Sequence, residues 1–196
     1  MPRHPDPDLE QRILNAADVL WRKGGARALT MRAVARTAGT NTPAVYRRFK
    51  NREDLIKGIL LRSGTRVRQR FEQGRTLEDM ADQYVQFALE NPHEYELFHT
   101  EAHLLNPRPK KAGAPLPPIR ESRPNFGFAE RVAARELGGK PEEYTELALA
   151  LWAIAHGTAM LLLKDVIPGA HSATLRNALR TAVKAIIEAA RSSRRR

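Results

Sequence analysis

The segment NTPAVYRRFK, residues 41–50, carries the side chains best suited to chemistry with a polyanion. In a helix, the turn of 100° per residue puts the apolar residues Ala44, Val45 and Phe49 on one side. The other side then holds a continuous arc of hydroxyl, ring and cationic groups: Thr42, Pro43, Tyr46, Arg47 and Lys50. Arginine and threonine can hydrogen-bond base edges in a major groove, proline and tyrosine rings can contact thymine methyl groups, and tyrosine and lysine can bond phosphates. The spacing therefore predicts a helix that is held to a core on one side and contacts DNA with the other.

The residues before this segment are predicted to form the partner helix that a DNA-contacting helix needs. Thr30 is a good N-cap for a short helix from Met31 to about residue 38, which Gly39 ends. A second short helix from about Thr42 follows, and two such helices around a glycine-containing turn are typical of a helix-turn-helix unit. The helix N-termini at Thr30 and Thr42 also offer free amide groups to phosphate. An ordinary helical hairpin with a solvated basic face has the same local pattern, so both interpretations stay open at this point.

Charge is unevenly distributed along the 196-residue chain, whose formal net charge is +11. Residues 1–50 contain 10 basic and 4 acidic residues, and residues 51–75 contain 7 and 3. Residues 76–190 contain 12 basic and 15 acidic residues, and the tail 191–196 adds 4 arginines. A basic module followed by a mildly acidic one predicts a polyanionic partner for the first and a different partner for the second. A uniformly basic proteome, the plain alternative, would not leave residues 76–190 negative.

Apolar residues recur at helical spacing almost throughout, and strand patterns are nearly absent. We therefore expect an all-α chain of about nine helices, with an N-terminal three-helix helix-turn-helix domain and a larger C-terminal helical domain. Beyond the two short helices, the predicted helices cover 8–24, 51–71, 76–90, the segment after Asn91-Pro92, 126–137, 141–166 and 172–190. Six prolines within 106–124 predict a long loop. The predicted domains are 8–52 for DNA binding and 53–190 for the larger helical part, followed by a disordered basic tail, 191–196.

Several classes of protein are disfavoured by what the sequence lacks. The chain has no cysteine, which excludes disulfides and thiolate-bound metals. No apolar run approaches the roughly 18 residues of a membrane span, and the N-terminus lacks the apolar stretch of a signal peptide. The phosphate-binding glycine loop and the GxSxG and HExxH motifs are all missing. We therefore expect a cytoplasmic protein that is not an enzyme and needs no cofactor or metal.

An extended N-terminal pattern, ILNAADVL…GARALTMRAVARTAGTNTPAVYRRFKNREDL, resembles the DNA-binding domain of the TetR family of bacterial transcriptional regulators. The resemblance covers about residues 9–62. It implies that the second short helix reads DNA and that Thr30, Tyr46 and Lys50 contact it. The family often has histidine where this chain has Arg48, so a DNA contact by Arg48 is less defined. The full set of DNA-binding candidates is Thr30, Arg32, Thr40, Asn41, Thr42, Pro43, Tyr46, Arg47, Arg48 and Lys50.

The C-terminal part carries a shorter resemblance. The segments ENPHEYELF (90–98) and LWAIAHG (151–157) are similar to the WHG-type regulatory domain found in some TetR-like proteins. This resemblance implies an effector pocket, and a dimer in which the last two helices of each protomer pair in a four-helix interface. The candidate pocket residues are Tyr95, Phe98, His99, Phe126, Trp152 and His156.

The helical stripes of this part are compatible with a dimer seam. The candidate interface residues are Ala153, Gly157, Leu179, Val183, Ile186 and Ile187. Packing of both stripes inside one protomer is the alternative. The aromatic residues at helical spacing can likewise be core, and a backbone carbonyl can satisfy His156 in place of a ligand. His99 and His103 stand four apart, but a lone histidine pair on a helix is a weak metal signal.

Together these observations predict a homodimeric, ligand-responsive DNA-binding transcriptional regulator. We expect a repressor that a small-molecule effector releases from a near-palindromic double-stranded operator, with no membrane partner. A helical small-molecule-binding protein or enzyme with an incidental basic N-terminus is the first alternative. A nucleoid-type protein that binds DNA without sequence preference is the second.

Overall fold

A computed structural model of the chain describes residues 8–106 and 115–195. Over these residues every regular element is a helix, as the apolar spacing predicts, and no strand occurs. Ten α-helices follow one another: α1 (Leu9–Ala28), α2 (Met31–Thr37), α3 (Thr42–Arg48), α4 (Arg52–Gln73), α5 (Leu77–Glu90), α6 (Pro92–Thr100), α7 (Ile119–Ser122), α8 (Pro124–Leu137), α9 (Thr145–Leu163) and α10 (Ser172–Arg194). Three short 3₁₀ turns lie at Ala102–Leu105, Pro141–Tyr144 and Gly169–His171.

The described chain forms two compact units, and the first contains residues 8–63 and 93–106. Here α1 packs on α2, and α2 packs on α3. The core of this unit draws on all its helices, and its fully buried members include Ile13, Val34, Val45, Leu55 and Leu97. The Trp21 indole, 2 % exposed, donates a hydrogen bond of 2.7 Å to the carbonyl of His93 and so ties α6 to α1. Residues 93–106 therefore belong to the same core as the predicted helix-turn-helix.

The second unit contains residues 64–92 and 115–195. Within it α9 packs against α5, α8 and α10, and α10 also packs against α5. A polar ladder lines the seam between α5 and α10, where side chains four residues apart on each helix meet. Arg176 donates to Gln86 at 2.8 Å, Arg180 pairs with Asp82 at 2.8 Å, and Lys184 lies 3.8 Å from Glu78.

The helix limits agree with the apolar pattern over most of the chain, but several ends differ. The predicted end of the first helix at Gly24-Gly25 is a kink inside α1, which continues to Ala28. The predicted loop 106–124 contains the short helix α7, and its residues 107–114 lie outside the described part. The predicted end of the last helix, at about residue 190, and the predicted disorder of 191–196 are wrong for the residues described. Helix α10 continues to Arg194 because that side chain bonds Glu143 at 2.7 Å and the hydroxyl of Tyr144 at 2.9 Å.

One helical segment, Pro141–Leu163, is long and apolar enough to cross a membrane by length and composition, with a mean hydropathy of 1.6. The sequence has no uninterrupted apolar run of that length, because Glu146 and His156 lie within the segment. A core helix of a soluble protein passes the same test, and α9 packs against three other helices of its unit. The finding is weak support for a membrane span.

Candidate nucleic-acid interface and regulatory unit

The two short helices α2 and α3 are each fixed at their start by a side-chain cap. The Thr30 hydroxyl oxygen accepts from the backbone N–H of Ala33 at 3.1 Å, and the Asn41 side-chain oxygen accepts from Ala44 at 2.9 Å. Gly39 lies between the helices at φ 65°, a conformation that glycine adopts without strain. Local chemistry therefore sets where each helix of the pair begins and how the chain turns between them.

The burial of α3 agrees with the division read from its sequence. Ala44, Val45 and Phe49 are buried at 3 %, 0 % and 7 % exposure, respectively. Of the residues predicted on the outward arc, Pro43, Tyr46 and Arg47 lie on α3 and are exposed, and Thr42 is half-buried. Lys50 is also exposed, but α3 ends at Arg48 and Phe49 is extended, so Lys50 lies just beyond the helix and not on its arc. Tyr46 is 51 % exposed, which is unusual for a large aromatic residue in a packed unit. The helix thus presents one polar and aromatic face to solvent.

The other candidate DNA contacts surround this face. Thr30, Arg32, Asn41 and Arg48 are exposed, and Thr40 is half-buried. In Thr30 the cap uses the hydroxyl oxygen as an acceptor, so its O–H can still donate to a phosphate. The Asn41 side chain keeps its amide N–H groups for the same purpose, although its oxygen serves the α3 cap.

Sequence reasoning did not single out Arg52, the first residue of α4, which spans both units in sequence. Its guanidinium donates to the carbonyls of Ala26 and Leu29, each at 3.3 Å. One sequence feature could have identified Arg52, namely a cation at a helix N-terminus. The helix dipole disfavours positive charge at that position, so a specific partner for the cation is expected. Arg62 was missed for a different reason, since its 2.8 Å bond to Asn15 joins α4 to α1 across a distance in sequence that no local pattern reports.

Three of the six pocket candidates lie in the second unit. Phe126 and Trp152 contact each other with ring centroids 6.3 Å apart, and the Trp152 indole donates to the Tyr84 hydroxyl at 3.1 Å. Tyr84 was not among the predicted residues. Burial lowers the pKa of His156, which favours its neutral form. His156 also lines an open groove along α9 and the turn after it, together with Gly157, Met160, Leu161, Lys164 and Val166.

The remaining pocket candidates, Tyr95, Phe98 and His99, lie on α6 in the first unit. Tyr95 is 3 % exposed and contacts the His99 ring in a tilted arrangement, with 4.4 Å between centroids. Phe98 packs against the core of that unit. For Tyr95 and Phe98 this burial favours the core role that the sequence analysis held open. No group of three or more potential metal ligands occurs in the described part of the chain.

The predicted interface residues on α10 need correction. Leu179, Val183 and Ile187 are 2 %, 1 % and 5 % exposed, because their stripe packs inside the second unit. Ile186 is half-buried, whereas Ala153 on α9 is exposed and Gly157 is half-buried. The buried stripe of α10 therefore packs inside one protomer, which is the alternative interpretation given above, and Ala153 is the one candidate that is exposed.

Two family descriptions match the chain. Residues 13–59 match the model for "Bacterial regulatory proteins, tetR family", and residues 77–186, more than half of the chain, match "Tetracyclin repressor-like, C-terminal domain". The chain belongs to the TetR family of bacterial regulatory proteins. It is a ligand-responsive transcription regulator with a helix-turn-helix DNA-binding domain and a ligand-binding C-terminal domain. Members of this family are soluble, cytoplasmic and generally dimeric, and they are generally not enzymes.

Solved structures show the same fold along nearly the whole chain. A protein of unknown function from Rhodococcus sp. RHA1 is 22 % identical, with a TM-score of 0.65 over 96 % of this chain and 98 % of that one. The multidrug binding protein EbrR, complexed with imidazole, is 19 % identical, with a TM-score of 0.61 over 95 % and 93 %. A single-residue variant of TetR from Acinetobacter baumannii AYE, in complex with minocycline, is 18 % identical, with a TM-score of 0.57 over 95 % and 96 %. No curated protein matches the chain.

Proposed function

We propose that this regulator is a homodimeric repressor that binds a near-palindromic operator through α3 and leaves it when a small-molecule effector binds. The observation that carries the proposal is the division of α3. Three apolar side chains anchor the helix while Tyr46, Arg47 and Lys50 stay in solvent. An exposed tyrosine beside two exposed cations has no packing role, but it suits the phosphates and base edges of a major groove.

Within this surface the side chains take different roles. Arg47 carries a planar guanidinium that can bond two acceptors of one base, so we assign it to base recognition. Tyr46 and Lys50 bond phosphates, which fixes the register of the helix but reads no sequence. Thr30 and Arg32 at the start of α2 bond the backbone beside the same groove.

We assign effector binding to the second unit, whose similarity to the WHG type rests on Trp152, His156 and Gly157. The Phe126–Trp152–Tyr84 cluster supplies ring faces and the Tyr84 hydroxyl, and His156 supplies a neutral ring nitrogen. Such groups suit a small ligand with apolar surface and few polar atoms. EbrR and the Acinetobacter protein are complexed with imidazole and minocycline, two ring compounds of different size, which supports a role for ring faces in this unit.

The dimer seam we propose differs from the one that the sequence predicted. On α10 the face opposite the buried stripe is exposed and consists of small residues: Ala178, Thr181, Ala185 and Ala189. On α9 the uncovered face includes Leu149, at 37 % exposure, and Ala153. Small side chains allow two helices to approach closely, so these faces suit a symmetric contact with a second copy.

Effector and DNA would be coupled through α4, which continues from residues of the first unit into residues of the second. The regulator would have two states, in which α4 sets different distances between the two α3 helices of the dimer. The effector must bind more tightly to the state whose spacing does not fit the operator, because a ligand with equal affinity for both states does not change their populations.

A gel-shift experiment on the DNA that flanks the gene of this protein tests the proposal. We expect a retarded complex that survives excess unrelated DNA. Equal binding to the competitor would indicate a nucleoid-type protein instead, and absence of any complex would favour the helical small-molecule-binding alternative. A screen for compounds that dissociate the complex then identifies the effector.

A further inference from the structure

The end of α1 is interrupted just before the DNA-facing elements begin. Gly24 has φ −153° and ψ 20°, and Gly25 has φ 58° and ψ −149°, so neither residue is helical. The short stretch from Ala26 to Leu29 then leads into Thr30, the N-cap of α2. Carbonyl groups at the end of a helix lack the donors that a continuing helix would supply. This corner therefore needs donors from elsewhere in the fold.

Arg52 supplies them from the first residue of α4. Its Nε donates to the carbonyl of Leu29 at 3.3 Å, and its Nη2 donates to the carbonyl of Ala26 at 3.3 Å. Two nitrogens of one planar group thus hold two carbonyls that stand three residues apart. Arg52 is half-buried, whereas Arg47 and Lys50 are exposed. The guanidinium is engaged with the backbone of the protein.

The position of this contact matters for DNA binding because Leu29 directly precedes Thr30. Holding the Leu29 carbonyl fixes the direction in which the chain enters α2, and α2 packs against α3. Since the donor belongs to α4, a displacement at the start of α4 is transmitted to this corner.

We propose that Arg52 is a positioning residue for the DNA-binding surface, which couples the start of α4 to the start of α2 through the carbonyls of Ala26 and Leu29. The inference rests on the proposed function of α2 and α3. A cation at the start of a helix near DNA would usually be interpreted as a phosphate ligand. The two hydrogen bonds to backbone carbonyls indicate a positioning role for Arg52 instead. Lysine would keep the charge for a phosphate, but its single ammonium group cannot reproduce the planar fork that holds both carbonyls.

Two substitutions distinguish these roles. Arg52→Lys keeps the charge and Arg52→Gln removes it, while Lys57→Gln, in the same helix, controls for the loss of one positive charge near the site. Operator affinity is measured for each variant over a range of salt concentrations. We expect both Arg52 variants to lose about tenfold or more in affinity. We also expect them to keep the wild-type salt slope, with Lys57→Gln close to wild type. Wild-type affinity for Arg52→Lys, with a slope lowered by about one in Arg52→Gln, would make Arg52 a phosphate contact and overturn the proposal.

Hydrogen exchange without DNA provides a second readout. We expect the amides of residues 26–36 to exchange faster in both Arg52 variants than in the wild type and in Lys57→Gln, while the second unit keeps its protection. Unchanged exchange in Arg52→Lys would overturn the inference. This measurement needs no operator, so a wild-type protein that binds no specific DNA contradicts the proposed function and leaves the coupling by Arg52 still testable.

Discussion

Arg47 on α3 and Lys50 just after it are both exposed, but their side chains can do different chemistry. A guanidinium matches two acceptors of a guanine edge in a fixed plane, whereas an ammonium is a compact charge that bonds a phosphate in many orientations. In the proposed complex, residue identity, and not exposure alone, separates the base contact from the phosphate contacts. The difference can be measured, because base contacts discriminate sequences and phosphate contacts respond to salt.

Replacing Lys50 or Tyr46 with alanine should weaken binding to all DNA sequences to a similar extent. Lys50→Ala should also lower the slope of log affinity against log salt by about one, because one phosphate contact is lost. Fluorescence anisotropy with the operator and with unrelated DNA at several salt concentrations measures both effects. An unchanged slope would remove Lys50 from the phosphate contacts.

Arg47→Ala should relax the preference for particular base pairs by roughly 1–3 kcal/mol. Binding to a panel of operators with single base-pair changes measures this loss, with Lys50→Ala as the matched control for a lost charge three residues away. If Arg47→Ala weakens all operators equally, Arg47 contacts the DNA backbone only.

At the scale of the element, α5 shows how a few polar atoms fix a helix start. The Thr76 hydroxyl oxygen accepts from the Asp79 backbone N–H at 3.0 Å, and the Asp79 carboxylate accepts from the backbone N–H groups of Thr76 at 3.1 Å and Arg75 at 2.9 Å. The bond from Arg75, followed by those involving Thr76, lowers the pKa of Asp79 although burial opposes the shift. The cap is therefore strongest when Asp79 is ionised.

Thr76→Ala should lower the free energy of unfolding by about 1 kcal/mol, the usual cost of a lost N-cap. Asp79→Asn should remove a contribution that depends on pH. Because the folded-state pKa of Asp79 lies below its ordinary value of about 4, the contribution is complete above that value. It disappears as the pH falls through the folded pKa. Urea unfolding at pH 7 and pH 3 measures this, and a difference between Asp79→Asn and wild type that does not shrink at pH 3 would contradict the assignment.

Helix α10 has two different faces. One consists of buried apolar residues, and the other consists of exposed small residues. Val183→Asp places a charge at a position that is 1 % exposed, so we expect destabilisation on the order of 3 kcal/mol or more. Thermal unfolding followed by circular dichroism measures the loss. A variant that keeps the wild-type stability but becomes monomeric would return Val183 to the dimer seam.

In the whole molecule, the N-terminal part carries the DNA-binding helices and much of the positive charge, and the C-terminal part carries the proposed dimer seam. The excess of basic residues lies in 1–75, which include the DNA-binding helices, while 76–190 are slightly acidic. Positive charge on residues 1–75 favours their approach to DNA. Residues 76–190 have a small net charge, so they do not strongly repel a second copy of the chain. In the proposed dimer, two linked DNA-binding domains would bind a palindromic operator far more tightly than one domain alone.

Ala185→Glu should convert the dimer to a monomer, because it adds a large charged group to the exposed face of α10 where we place the seam. Its folding stability should change little, in contrast to Val183→Asp. Sedimentation velocity measures the oligomeric state, and Gln69→Glu, at a position on α4 away from this face, controls for the added negative charge. A dimer that persists in Ala185→Glu would move the interface away from this face.

The sequence by itself determined the helical class, the limits of most helices and the two sides of α3. These features depend on local physics, namely apolar spacing, caps such as Thr30 and breaks such as Gly39, which neighbouring residues report. Packing alone shows that Leu179, Val183 and Ile187 are core residues, since a core stripe and a dimer seam have the same apolar spacing in sequence. The tertiary structure also decided that Arg194 bonds Glu143 and that Arg52 bonds the end of α1. Contacts between residues distant in sequence leave no periodic signal, so they become visible only when the chain has folded.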